Sequence, residues 1–425
     1  MTNFHGTFLR WVFLVACIPK LALSCANHAL DTGDPAIIAA NHAARRAPQA
    51  AQKIAIYNVR VFDGDRILPP TTVIIDNGVI GINPFGAKFI DGQGQVLLPG
   101  FIDTHSHPRT VDDLNEQSSY GITTTFLQAG GSAAVRESLT NHPGITDLRF
   151  ASLPAVATND SSAVPPFIAA QGGFISSPEQ APGFVKNQSA TSDWIKILAV
   201  SPNIPTVVQP VLNALVASAQ NYGKQTICHA PAYESVRQAL KAGVSQLHHS
   251  PLDKAADDDL VQLYRAGKQP NCPTLVGMLA ITDRNPYFGL NYTAAAASVT
   301  TLYNAGVPIL AGTDSTLQAG VPFIVPYGSS IHLEVQLLVE AGLSNLDALR
   351  AVTSLPAKYY GLRDRGRIFP GMRADLVLVG GNPLRNISNT RDIKRVWLAG
   401  IEHAVNTTTT LTKESLAVIN TPLSG

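Results

Sequence analysis

Cysteine is nearly absent from this chain, with four in 425 residues, and two of them, Cys17 and Cys25, fall in the first stretch. Cys228 and Cys272 remain in the body, too few for a disulfide framework, so they read as small buried apolar residues. Charge is sparse as well, at 14% of residues and a net +1. With no block of like charge to hold a polyanion, nothing points to nucleic acid as a partner. Long apolar runs are missing too. The longest near the start, Trp11 to Ile18, falls short of the ~20 residues a bilayer-spanning helix needs, so no membrane association is expected of the mature form.

What that run does fit is a secretory signal. Arg10 precedes it and small residues follow at Ala22, Ser24 and Ala26, so residues 1–26 are expected to direct secretion. Acceptors of the Asn-x-Ser/Thr type at Asn159, Asn187, Asn291, Asn386 and Asn406 agree with an exported glycoprotein. Residues 27–52, rich in alanine, read as a linker.

From Lys53 the chain alternates apolar and polar residues through Phe62 and turns at Asp63-Gly64-Asp65, the pattern of a half-buried strand. Residues 53–98 therefore form the first part of a small β-sandwich. Over 99–365 strands alternate with helices: Gly121 to Leu127, Phe150 to Val156, Trp194 to Leu198, Gln225 to His229, Ser245 to His249, Asn271 to Leu275 and Pro308 to Asp314 are the strand-like runs. That rhythm predicts an α/β fold, a (β/α)8 TIM barrel. Short strands resume in 366–425, which supplies the second part of the sandwich and a tail. Neither end has enough strands to bury its own face, so one β-sandwich built by both chain ends is expected.

His105 and His107 end the run Leu97-Leu98-Pro99-Gly100-Phe101-Ile102-Asp103-Thr104-His105-Ser106-His107. Side chains two apart on a strand share a face, so the pair is either a metal clip or two surface histidines, and the spacing alone divides evenly. Residues at the C-terminal strand ends of a parallel barrel converge on one mouth. Those positions hold His105, His107, Lys196, His229, His249 and Asp314. Taken singly, His229 and His249 could be core histidines, Asp314 a helix cap, and Lys196 an outward-snorkelling side chain. Lys196 facing inward would need its charge compensated; a lysine carboxylated by CO2 is an anion able to bridge two metals. Their joint placement favours a metal site.

In order along the chain, Pro99 to His107, Trp194-Ile195-Lys196-Ile197, His229-Ala230, His249-Ser250, Gly312-Thr313-Asp314, His332-Leu333-Glu334 and Pro370 to Leu378 resemble the motifs of the amidohydrolase superfamily. The likeness is to its imidazolonepropionase-like branch, with Xaa-Pro dipeptidase-type enzymes and a fungal ochratoxin-hydrolysing amidase. The resemblance implies two divalent metals, usually Zn2+, with His105, His107 and Asp314 on one and His229 and His249 on the other. N6-carboxylysine at Lys196 and a hydroxide would bridge them, with Asp314 moving the proton. His248 is the weaker choice on its strand, because the ligand stands directly before a small residue, here Ser250. The implied activity is hydrolysis of an amide-type C–N bond in a small organic molecule; the alternative is decarboxylation or dehydration on the same scaffold. Arg284, Tyr287 and Phe288, in an expected substrate loop from Met278 to Tyr292, and His332 are the substrate-binding candidates. A homo-oligomer is compatible with this reading.

Overall fold

The computed structural model describes residues 34–45, 52–129, 132–157, 173–199, 206–285, 289–318, 321, 323–405 and 410–421. The expected signal segment, residues 1–26, lies outside them. Inside the expected linker, Pro35–Ala43 is instead an α-helix. Alanine carries the highest helix propensity, proline suits a first turn, and Asp34 caps the end by accepting from Ala36 N–H at 2.8 Å. The helix is anchored by the buried amide of Asn41, which donates to Arg109 and Ser138 and accepts from Val111 N–H.

Five strands follow: β1 (Ile54–Phe62), β2 (Ile67–Asp76), β3 (Val79–Gly81), β4 (Lys88–Asp91) and β5 (Val96–Pro99). Then come β6 (Phe101–Ser106), β7 (Ile122–Leu127), β8 (Asp147–Phe150), β9 (Ile195–Leu198), β10 (Thr226–His229), β11 (Gln246–His248) and β12 (Asn271–Cys272), separated by helices. The last are β13 (Leu376–Val379), β14 (Ile393–Leu398) and β15 (Ile401–His403).

The end strands form one sheet in the order β15-β14-β13-β5-β1-β2-β3, with β4 also paired to β1. Where a sandwich was expected, hydrogen bonding runs through a single sheet to which both chain ends contribute. Its apolar side gathers Ile56, Ile75, Leu97, Leu376 and Trp397. Gly100 joins this sheet to β6; a Cβ there would meet the Thr123 hydroxyl at 2.1 Å, so no larger residue fits the passage.

The middle strands are all parallel, in two sheets ordered β6-β7-β8 and β12-β11-β10-β9. Isolated bridges connect them. Ala151 pairs with Trp194 beyond β8, Asn271 with Ile309, and Ser106 with Ser315, each in parallel. The series thus returns through the segment 308–315 to β6. Strands β6, β7, β9 and β10 are buried along their whole length, as parallel strands covered on both faces must be. Between them lies an apolar floor of Ile102, Phe126, Trp194, Ile227, Cys272, Leu310 and Tyr360. Register sets the rim, because His229 is level with Leu198 and with His248, and His248 with Cys272.

Candidate metal centre

Backbone hydrogen bonds between β6 and residues 313–315 bring the first histidines to the aspartate. The carbonyl of His105 accepts from Thr313 N–H and Asp314 N–H, and His107 N–H donates to Ser315 at 2.9 Å. Asp103 locks the junction. Its Oδ1 accepts from His105 N–H (3.1 Å) and Thr313 N–H (3.0 Å), and its Oδ2 from the Thr313 hydroxyl (2.7 Å). Burial pushes the Asp103 carboxyl up to about 7 against these three hydrogen bonds. The Tyr327 hydroxyl donates to the His107 carbonyl and completes the frame.

Asp314 Oδ1 then lies 3.0 Å from His107 Nε2 and 3.3 Å from His105 Nε2. Donor atoms of His105, His107 and Asp314 fall within 4.8 Å of one another, and all three residues are buried. Burial keeps the imidazoles of His105, His107, His248 and His249 well below their ordinary pKa, and an ammonium at Lys196 would add to the effect at each. They are neutral, the form that binds metals. Lys196 itself is fully buried on β9, and its Nζ has no hydrogen-bond partner among the described residues. An ammonium there would carry a desolvation cost of several kcal/mol.

The second pair meets nearby. The His229 and His249 rings lie 4.4 Å apart, and His249 is 4.8 Å from His105. Neighbours on a strand should face opposite sides, yet His248 also sits 4.8 Å from His105. The left-handed turn at His249 (φ 77°) makes this possible by carrying its ring back to the site. Thr274 (φ 49°) and Asp314 (φ 58°) are left-handed too, and such strain concentrates where side chains must be aimed. The Thr274 hydroxyl meets His249 Nδ1 at 2.8 Å, and Asp314 Oδ2 lies 3.8 Å from the same nitrogen.

Thr274 precedes the helix Leu275–Arg284, where a substrate loop was expected from Met278. The apolar run Leu275, Val276, Met278, Ala280 and Ile281 is buried, and Glu334 caps its start by accepting from Leu275 N–H (3.1 Å) and Val276 N–H (2.8 Å). Burial raises the Glu334 carboxyl to about 8. Gly277 in the first turn admits Asp314, since a Cβ there would come within 2.7 Å of the Asp314 Cβ. Gly277→Ala is therefore expected to destabilise the protein by about 1–3 kcal/mol and to lower turnover at least tenfold. A thermal melt and a steady-state assay check this; unchanged turnover would mean that Asp314 is not held by this contact.

Two substrate candidates lie elsewhere. Arg284 ends that helix and donates to the Thr421 carbonyl at 3.3 Å, about 15 Å along the axis from Thr274 for a ten-residue helix. His332 packs edge-on to Phe101 at 5.7 Å and meets the Thr390 hydroxyl at 3.1 Å, beside the residue that starts β6, whereas His105 and His107 follow its other end. Burial pushes His332 down to about 3, and it is a core histidine. Tyr287 and Phe288 lie outside the described residues. Sequence reasoning missed Glu334, which stands two residues from His332, and also Asp103, Thr274 and Gly277. The available signal for Glu334 was a second polar residue in the apolar run Ile331 to Leu338.

Residues 96–402 match a family model described as the amidohydrolase family. The chain is similar to adenine deaminase 2 of Desulfotalea psychrophila, 24% identical over 367 residues that cover 83% of this chain and 56% of that protein. It spans about half the length of the curated relatives it matches. Among solved structures it is similar to a Xaa-Pro dipeptidase with methionine bound in the active site, with a TM-score of 0.69 at 22% identity over 83% of this chain and 99% of that one. The Aspergillus niger ochratoxinase gives a TM-score of 0.68 at 18% identity over 83% and 95%. At these identities the two structures establish the α/β fold alone.

Proposed function

This chain belongs to the amidohydrolase family, and we propose that it is a metal-dependent hydrolase cleaving an amide-type C–N bond in a small organic substrate. The supporting observation is the buried convergence of His105, His107 and Asp314 within 4.8 Å. Three neutral or anionic donors on rigid strand ends fit a divalent ion, with Zn2+ as the proposed metal. His229 and His249 would hold a second ion. Lys196, buried with no partner for Nζ among the described residues, fits conversion by CO2 into a carbamate shared between the two. Bound there, the ions would acidify a water and polarise the scissile carbonyl.

Asp314 is the group we assign to moving the proton, and its carboxylate lying 3.0 Å from His107 Nε2 and 3.3 Å from His105 Nε2 supports this. In this reading it takes the proton of the attacking water and passes it to the leaving nitrogen. The apolar floor of Phe126, Trp194 and Tyr360 beneath the site excludes bulk water. The finer architecture is a (β/α)8 barrel over 99–365, its mouth formed by the strand C-termini, beside the sheet module from 53–98 and 366–425. Secretion through residues 1–26 belongs to the same reading, with Asn187, Asn291 and Asn386 exposed and accessible to glycosylation.

Activity should disappear on dialysis against a chelator and return with zinc, alongside recovery of about two equivalents of metal by emission analysis. Substrates to screen are N-acyl amino acids, Xaa-Pro dipeptides, lactams, cyclic imides and, because one relative is named a deaminase, aminopurines. Turnover in labelled water should place one oxygen in the product at the cleaved carbon. Full activity in chelator would sink the reading, and product formed with loss of CO2 but no label would point to decarboxylation instead.

A further inference from the structure

His248 faces the site, yet both its ring nitrogens are engaged. Its Nδ1 lies 2.7 Å from His105 Nδ1, and its Nε2 lies 2.8 Å from the Tyr360 hydroxyl. All three side chains are buried. Tyr360 is held in turn by edge-on contacts, with Phe126 at 4.4 Å and Trp194 at 5.0 Å between ring centres. We propose that His248, backed by Tyr360, is a positioning residue that sets the tautomer of His105 and thereby its strength as a metal ligand; this rests on the metal-centre reading above.

Two nitrogens 2.7 Å apart share one hydrogen, so His105 Nδ1 and His248 Nδ1 cannot both donate or both accept. A ligand needs its lone pair free, so when His105 Nε2 binds a metal its proton sits on Nδ1 and is donated to His248. His248 then carries its own proton on Nε2 and donates it to the Tyr360 oxygen. Without metal the chain can run the other way. Tyr360 donates to His248 Nε2, His248 Nδ1–H donates to His105, and His105 Nε2–H donates to Asp314 Oδ1, 3.3 Å away. Loading the metal reverses the whole line without changing the net charge of His105, His248 or Tyr360. Hydrogen bonding to the far nitrogen of a ligating histidine fixes its ring and raises its basicity. His248 supplies that contact here, and the hydroxyl at its other end is what lets it accept from His105.

The test compares leucine and asparagine at 248, similar in volume but different in what they offer His105. An asparagine side-chain oxygen stands near the position of an imidazole Nδ1 and can accept the His105 proton; leucine cannot. Full-length parent, His248→Leu, His248→Asn and Tyr360→Phe are stripped of metal and titrated with cobalt(II), following its visible absorption. His248→Leu should weaken cobalt binding roughly 10- to 100-fold, His248→Asn should stay within a few-fold of the parent, and Tyr360→Phe, which leaves the packing nearly unchanged, should fall between them. Nitrogen-15 spectra of ring-labelled histidine should show His105 protonated at Nδ1 in the loaded parent. Leucine and asparagine variants that bind equally well, or equally poorly, overturn the positioning role while the metal site stands. A parent that binds no cobalt overturns both.

Discussion

Asp314→Asn should lower kcat by roughly 10²–10⁴-fold, the range removed with a positioned acid–base group, while the protein still folds. Asparagine keeps the size of the side chain and removes its negative charge. It is also the substitution least confounded by backbone strain, because Asp314 sits at φ 58° and asparagine is among the few residues that adopt the left-handed region readily. Alanine there would mix lost chemistry with strain. The carboxylate lies within 3.3 Å of two histidine nitrogens, so metal content should fall as well, and the assay must be paired with emission analysis on the same sample. Activity within tenfold of the parent at full metal loading would remove Asp314 from the proton-transfer role.

Lys196→Ala should lose metal and activity together, with turnover falling by on the order of 10³-fold or more. The competing account, a plain buried ammonium, makes the opposite forecast for the near-isosteric Lys196→Met. Removing an uncompensated charge from an apolar strand relieves a cost of several kcal/mol, so that variant would melt higher and keep its metal. If the nitrogen is carboxylated, Lys196→Met instead forfeits a shared anionic ligand, and both variants come out of purification depleted of metal. Reconstituting metal-free parent with and without bicarbonate gives a third view, because carbamate formation consumes CO2. Equal recovery in rigorously CO2-free buffer would count against carboxylation even if lysine proves essential.

Glu334 and His332 show where sequence reasoning loses resolution. Both are polar residues in the apolar helix Ser330–Glu340, and both are buried. Residues two apart on a helix are separated by about 200° around the axis, so one can face the site only if the other faces away. The amino-acid string does not say which. The histidine was the natural choice because imidazole so often does chemistry, but packing turned it to Phe101 and gave the carboxylate to the helix at Leu275. The loop expected from Met278 is helical as far as Arg284 for a related reason: Gly277 looks like a helix breaker in isolation, and the helix start at Leu275 is held by a carboxylate contributed from 59 residues further along.

The alternation of branched strands with amphipathic helices, and the His-x-His pair at the end of one strand, follow from local periods of two and 3.6 residues, and both are legible in the sequence. So are the imidazole and carboxylate donors His105, His107 and Asp314, which are types that suit a divalent ion at neutral pH. Three things waited on the tertiary structure. One was the closure that brings Asp314 beside His105 and His107, which depends on hydrogen bonds between residues about two hundred apart. Another was the return of His249 to the same space as His248, which depends on a left-handed backbone that no strand period anticipates. The last was the tautomer line through His105, His248 and Tyr360, because where a proton sits depends on which groups meet across the interior, and no single segment of chain contains them all.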